Sequence, residues 1–475
     1  MKISTILPLI ILLACNLLWV GCVIPAASNK TESGLSLPKE WESKIQHADK
    51  NASQGWAKEL GGEELRYIIK TAWDTNQDMR ALSEQLIAQG EEATILGSQL
   101  LPNAGFEVTG SRSKRNLIGF NLPNGSTSFT SNSFTSGLNI SWELDLWGKI
   151  ANARDSASYN FEAGTLEYTS SRLSLAGQSA KTWYDLIEGS QQLRLARKTA
   201  QSFSQNQVFV QQRYEKGLAN ALERNLAEAG TATAHAQSLF LSGQLDMRKR
   251  KINQLLGRYP SISLDQNISL KPQNINLSKL SVPSPNHILS NRPDILAAEK
   301  KALAAGLNLE VARKNFLPSI ALTGAPGSRS DEFESLLDKN FQTWGINGSL
   351  TQPIFNGGRL RATHRQAKAL RESAWAQYRA TALRAFVEVE NLLAAEVRLT
   401  EEEKYIEAAA RSAEQASRLS WERYQRGVEG IFNALENQRR AFEARSRALL
   451  IRKQRIHNRI DLHLALGQSP LPPSL

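Results

Sequence analysis

The sequence predicts a mainly α-helical chain with a β part suited to a membrane, built from two internal repeats of long helices and strand pairs. Three observations predict it. The stretch Arg213-Tyr214-Glu215-Lys216-Gly217-Leu218 recurs 210 residues later as Arg423-Tyr424-Gln425-Arg426-Gly427-Val428. Residues 148–212 and 359–423 contain no proline. From Phe134 to Leu146, the residues Phe134, Leu138, Ile140, Trp142, Leu144 and Leu146 all fall on even positions, with polar residues on the odd ones.

Other landmarks support the duplication. Leu255-Leu256-Gly257 matches Ala465-Leu466-Gly467, and the stretch from Ser141 to Trp147 matches that from Ser349 to Phe355. Leu101-Pro102 matches Leu317-Pro318. Spacing changes only at turn-rich places, as it does when one ancestral unit is copied. The predicted boundaries are a signal segment over 1–21, an arm over 22–60, a first repeat over 61–257, a connector over 258–286, a second repeat over 287–467 and a tail over 468–475.

The apolar run from Ile3 to Gly21 follows one early lysine and reads as an export signal. The only two cysteines lie at its end. Leu12-Leu13-Ala14-Cys15 and Trp19-Val20-Gly21-Cys22 both resemble a bacterial lipoprotein box, and Cys22 is favoured by the polar sequence after it, with Cys15 as the alternative. With no later cysteine, the mature chain has no disulfide to hold it.

Residues 62–100 read as helix, stopped by Pro102. Phe106 and Val108 begin a strand, and a Gly, Ser and Asn-rich loop runs to about residue 132. The alternation from Phe134 to Leu146 then reads as a two-faced strand. It suits a soluble sheet, and equally a tilted membrane-barrel strand of at least ~9–11 residues. Trp142, Trp147 and Trp344 are candidates for an interfacial aromatic belt. The proline-free stretches predict helices of ~98 Å at ~1.5 Å per residue, which need a coiled-coil-like partner. Gly217 and Gly427 sit where a helix ends and φ turns positive. Residues 286–316 read as one helix. Ile320 and Leu322, then Trp344, Ile346, Leu350 and Ile354, mark the strands of the second copy. In the last helix Leu435, Phe442, Leu449 and Ile456 recur every seven residues.

The formal net charge is +11. Most Lys and Arg are interleaved with acids, the ordinary pattern of a solvated helix face. The last helix is the exception, with Arg439, Arg440, Arg445, Arg447, Arg452, Lys453, Arg455 and Arg459. Such a helix fits an anionic partner, yet no nucleic-acid recognition motif accompanies it and the chain looks exported. There is no phosphate-binding loop, and the six histidines lack metal-ligand spacing; His457 and His463 read as helix-face residues. No cofactor and no enzymatic activity are expected. Four strands cannot close a barrel, whereas three chains supply twelve, so membranous strands imply an oligomer.

Several stretches together resemble the TolC-like outer-membrane efflux proteins, in particular the lipoprotein branch (NodT-like) of tripartite RND-type drug-efflux systems. They are the run Ser141 to Lys149, Asn291-Arg292-Pro293-Asp294-Ile295, Phe316-Leu317-Pro318-Ser319-Ile320, the run Gln352 to Arg359, and the two Arg-Tyr-x-x-Gly tips. The resemblance covers nearly the whole mature chain. It implies a homotrimer with an α-helical barrel across the periplasm, topped by a 12-stranded β-barrel in outer-membrane lipid. It implies a periplasmic adaptor and an inner-membrane pump as partners, with docking at the tips through Arg213, Tyr214, Gly217, Arg423, Tyr424 and Gly427. It also implies a periplasmic gate at Phe432, Glu436 and Arg439, where family members often carry Asp in place of Glu436. On helical spacing alone, Glu436 and Arg439 or Arg440 read equally as an exposed ion pair. The implied function is a passive exit duct for small toxic compounds. A duct for type I protein secretion and a non-pore periplasmic scaffold lipoprotein are the alternatives.

Overall fold

A computed structural model describes residues 38, 40–43, 55–116, 128–271, 275, 277 and 282–472. Cys15, Cys22 and the signal segment lie outside the described residues.

The described chain follows the duplicated plan. The first repeat contains α1 (Trp56–Thr75), α2 (Gln77–Ser98), β1 (Asn103–Asn116), β2 (Ser128–Leu144), α3 (Lys149–Glu215) and α4 (Ala221–Leu255). The second contains α5 (Pro285–Asn291), α6 (Pro293–Lys314), β3 (Ser319–Gly324), β4 (Gly327–Ser330), two 3-10 turns, β5 (Gln342–Thr343), β6 (Ile346–Thr351), α7 (Arg359–Gln425) and α8 (Ile431–Ala465). The copies agree in length: α3 and α7 each have 67 residues, and α4 and α8 each have 35. At ~1.5 Å per residue the longer pair reach ~100 Å. Among the described residues, no helix is long and apolar enough to cross a membrane.

Two expected helices are broken, each for a local reason. The helix expected over 62–100 stops at Thr75 and restarts at Gln77. Asn76 caps the second piece by accepting from the N–H groups of Asp78 and Met79, and its Nδ2 donates to the Leu255 carbonyl at 3.0 Å. The helix expected over 286–316 breaks at Arg292, because the following Pro293 disfavours the helical conformation there. Freed from the helix, Arg292 bonds Asp294, Glu388 and the Ala465 carbonyl, and so stitches α6 to both helices of the second hairpin.

The strands form one antiparallel sheet. β1 and β2 pair along their length, β2 continues to β3 and β4, β3 to β6, and β4 to β5. β2 begins at Ser128, earlier than the hydrophobic alternation indicates, because its outer half alternates only polar residues with single aromatics. The 344–354 alternation is strand only from Ile346 to Thr351. Trp344 precedes that strand, and Ile354 follows Pro353, which has no N–H to donate.

The principal core lies where α1 crosses the middle of α3 and the end of α4. Trp183, Leu186, Leu60, Leu65, Ile68 and Ile252 are fully buried there. Connector and tail close over it. Trp183 Nε1 donates to the Ser269 carbonyl, and the start of α1 bonds the tail at Ser469 and Pro470. The seven-residue spacing in α8 is real, but the buried row is Ala434, Ala441 and Ala448. Leu435, Phe442 and Leu449 lie half-buried beside it, with Ile456 buried at the far end. Small residues on the inner row let α8 approach its neighbours closely.

Candidate functional site

The ends of the two hairpins carry the expected tip and gate residues. At both tips a Gly in the left-handed region ends the long helix, Gly217 at φ 71° and Gly427 at φ 76°. The same two backbone bonds follow: Gly217 N to Tyr214 O and Leu218 N to Arg213 O, then Gly427 N to Tyr424 O and Val428 N to Arg423 O. This paired pattern satisfies helix-end carbonyls and needs φ > 0, which Gly adopts without a Cβ clash.

The repeated side chains then diverge. Tyr424 is only 2% exposed and joins Val210, Ala227, Ile431 and Ala434 in a small apolar cluster between the hairpins. Its hydroxyl donates to Glu223 Oε2 at 3.4 Å, a link from the second tip to α4 of the first hairpin. Burial, then the nearby Glu223 carboxylate, pushes the Tyr424 hydroxyl up to about 12. Tyr214 is half-buried beneath the Arg224 guanidinium, 5.0 Å from its ring centre. Arg213 lies 5.5 Å from the Tyr424 ring and donates to the Leu218 carbonyl, whereas Arg423 pairs with Glu429 at 3.4 Å.

Phe432, Glu436 and Arg439 share one face of α8, as the spacing predicts. Phe432 is 65% exposed. Arg439 holds Glu436 at 2.8 Å and also bonds Glu443, and Arg440 holds Glu436 at 2.8 Å. These guanidinium bonds, Arg439 first, hold the Glu436 carboxyl at about 2, so it stays ionised. Within one chain Glu436 and Arg439 therefore form the exposed helix network that spacing alone allows, and Phe432 is left without a cover. They border a groove of about 610 Å³ between α4 and α8, floored by Phe203 of α3.

Sequence reasoning left the basic face of α8 without a partner. The structure supplies one in α7. Arg445 bonds Glu407 and Glu414 at 2.9 and 2.7 Å. Arg455 bonds Glu403 at 2.8 Å, and the buried Arg459 bonds Glu396 at 2.7 Å. Each acid stands roughly as far before Gly427 as its arginine stands after it. That is the signal a hairpin reading of the sequence offers. Of the three tryptophans, Trp142 and Trp147 lie where the sheet meets the helices, with indole N–H groups donating to the Leu100 and Pro318 carbonyls. Trp344 stands exposed between β5 and β6, level with the middle of β2.

The family model described as outer membrane efflux protein matches residues 68–258 and 284–468. The chain belongs to the outer membrane efflux protein family. It is 28% identical to the pyoverdine export outer membrane protein OpmQ of Pseudomonas putida, over 96% of each chain. It is 30% identical to the outer membrane protein OprJ of Pseudomonas aeruginosa, over 87% of this chain and 85% of that one. A solved membrane protein from Pseudomonas aeruginosa superposes with a TM-score of 0.83 at 29% identity, covering 91% of this chain and 97% of that one. The chain is thus an outer-membrane component of an efflux system, and its family is one of channels.

Proposed function

We propose that three copies of this chain assemble into one exit duct for small toxic compounds. Each copy contributes four strands to a 12-stranded β-barrel, with β3 and β4 forming one interrupted strand and β5 and β6 another, and two hairpins to an α-helical barrel below it. The observation that carries this is the open sheet. On β1 and β2, Phe106, Val108, Phe134, Leu138 and Ile140 share one face by register, while the other is mostly hydroxyl and amide residues with Glu107 and Arg115. An open strand edge is not tolerated in lipid, so the sheet has to close with other copies. The hairpins need the same partners: Leu239 and Phe240 on α4 and Leu383 and Val387 on α7 are exposed in the single chain.

In the trimer, Phe432 from each copy narrows the periplasmic mouth. The Glu436 carboxylates line it, with Arg439 shared between copies. The two Arg-Tyr-x-x-Gly tips receive a periplasmic adaptor, and an inner-membrane pump delivers cargo through it. Trp142, Trp147 and Trp344 face the membrane, and acylation of Cys22, or of Cys15, adds a lipid anchor.

The test is single-channel recording of the purified protein in planar bilayers. The reading expects a small resting conductance that rises in Phe432→Ala and Glu436→Ala. No conductance from a stable trimer would sink the duct. Conductance indifferent to both substitutions would remove the gate assignment alone. Deleting the protein from its cell is expected to sensitise growth to dyes and detergents, with secreted proteins unchanged.

A further inference from the structure

The outward face of the β1–β2 hairpin changes character at a definite height. Register places Phe106, Val108, Leu138, Ile140 and Phe134 on that face, and continues it with Arg112 opposite Asn132 and Lys114 opposite Thr130. The ten residue steps from Leu144 to Phe134 rise ~25 Å at ~3.3 Å per step and ~40° tilt, the height of a barrel's apolar band. Arg112 then sits ~5 Å above that band and Lys114 ~10 Å above it, the level of lipid headgroups on the side away from the helices. Both are exposed, and among the described residues no acid pairs with either. Between Glu107 and Glu143 the sequence contains no acidic residue, so this hairpin is purely cationic beyond the band.

Accepting the trimeric barrel proposed above, we propose that Arg112 and Lys114 are a binding site for the phosphate groups of outer-leaflet glycolipid. Charge complementarity selects the occupant. Two cations on the lipid-facing side, stacked just beyond the last apolar residues, meet anions held at the top of acyl chains. The third cation of the hairpin, Arg115, pairs in register with Phe129 and points to the opposite, luminal side, so it takes no part.

The experiment is native mass spectrometry of the detergent-purified trimer, titrated with diphosphoryl lipid A and with the same lipid after removal of its phosphates. Two cations at about 1 kcal/mol each amount to a ~30-fold change in binding. Wild type is expected to prefer the phosphorylated lipid. Arg112→Gln/Lys114→Gln is expected to bind it ~30-fold more weakly, each single substitution to do so by a smaller factor, and Arg115→Gln to bind as wild type. Equal binding of the two lipids, an unaffected double variant, or an Arg115→Gln defect as large as that of the double variant would overturn the proposal. So would a double variant whose trimer falls apart while its lipid binding persists, since the cations would then face acidic residues such as Asp338 on a neighbouring copy. Bilayer conductance of the same preparation reports on the duct separately: a conducting trimer without phosphate preference fails this proposal alone.

Discussion

The two hairpins share a plan and differ in what holds them. The first is fixed by burial. α3 carries Trp183, Leu186 and Ile187 into the core beneath α1, and its main ion pair to α4 is Arg248 with Glu188 at 2.7 Å. The second is laced by charge, with Arg445, Arg452, Arg455 and Arg459 of α8 set against the glutamates of α7. It reaches the first tip through Tyr424 and a small cluster. Apolar burial is non-directional and is not screened by salt, whereas exposed ion pairs are weak and screened. The contrast fits a fixed hairpin beside one that can shift, and the proposed gate face belongs to the second.

The largest expected effect tests the deepest rung of that charged ladder. Arg459 is 2% exposed, and Glu396→Ala takes away the carboxylate that it bonds at 2.7 Å, together with that carboxylate's bond to Asn458 and ion pair with Arg455. Breaking a buried pair from one side costs about 3–5 kcal/mol, so thermal unfolding should show a large drop in Tm. Arg445→Ala, at a partly exposed rung, should cost no more than about 1 kcal/mol, and less at high salt. Equal losses at the two rungs would mean that burial does not grade the ladder.

The duplicated helix ends differ in a titrating group. His463 stands where the first hairpin has Asn253. Burial holds the His463 imidazole down at about 4, against the ordinary 6.5. Arg459 opposes its protonation further, Gln468 bonds its Nδ1, and Glu396 lies near. A depressed histidine is neutral in the fold. Its contribution to stability is present above pH 6.5 and lost as pH falls toward about 4. Denaturant unfolding across that window should show the loss, and His463→Asn should flatten it. A slope that persists in His463→Asn would assign the sensitivity to other groups.

At the tips, Tyr424→Phe removes the hydroxyl link to Glu223, whereas Tyr214→Phe removes no bond between the hairpins. A hydrogen bond contributes about 0.5–1.5 kcal/mol net, and this long one belongs at the lower end. Tyr424→Phe should shift the closed-to-open balance roughly 2–5-fold in bilayer recordings, and Tyr214→Phe should not. The raised Tyr424 hydroxyl also sets a sign. Its contribution is full below pH 10 and lost as pH rises through about 12. The smallest contrast lies in the turns. Gly217→Ala and Gly427→Ala each meet open space but force a positive φ, so each should cost about 1 kcal/mol in thermal unfolding. A much larger cost at one tip would show that the two turns are not equivalent.

Much of the fold was legible because its signals are local. Proline-free runs, terminal glycines and period-two alternation are set by neighbours along the chain. The breaks at Asn76 and Arg292 show the limit. Pro293 announced the second break, but the first depends on Asn76 reaching Leu255, a residue distant in sequence. The shared face of Phe432, Glu436 and Arg439 was legible, while the closure of Glu436 by Arg439 and Arg440 on the same helix competed with a gate reading from the start. The buried alanine row of α8 was passed over because side-chain size, not packing distance, marked its half-buried neighbours.

By itself the sequence determined the duplication, the long helices, the two tips, the two-faced strands and the basic last helix. Each follows from spacing within a segment. Only the tertiary structure decided which glutamates of α7 meet each arginine of the basic helix, that Tyr424 is buried while Tyr214 is half-buried, and which residues of β2 stand opposite Arg112 and Lys114. Those outcomes depend on how one element packs and registers against another, which no single stretch fixes by itself.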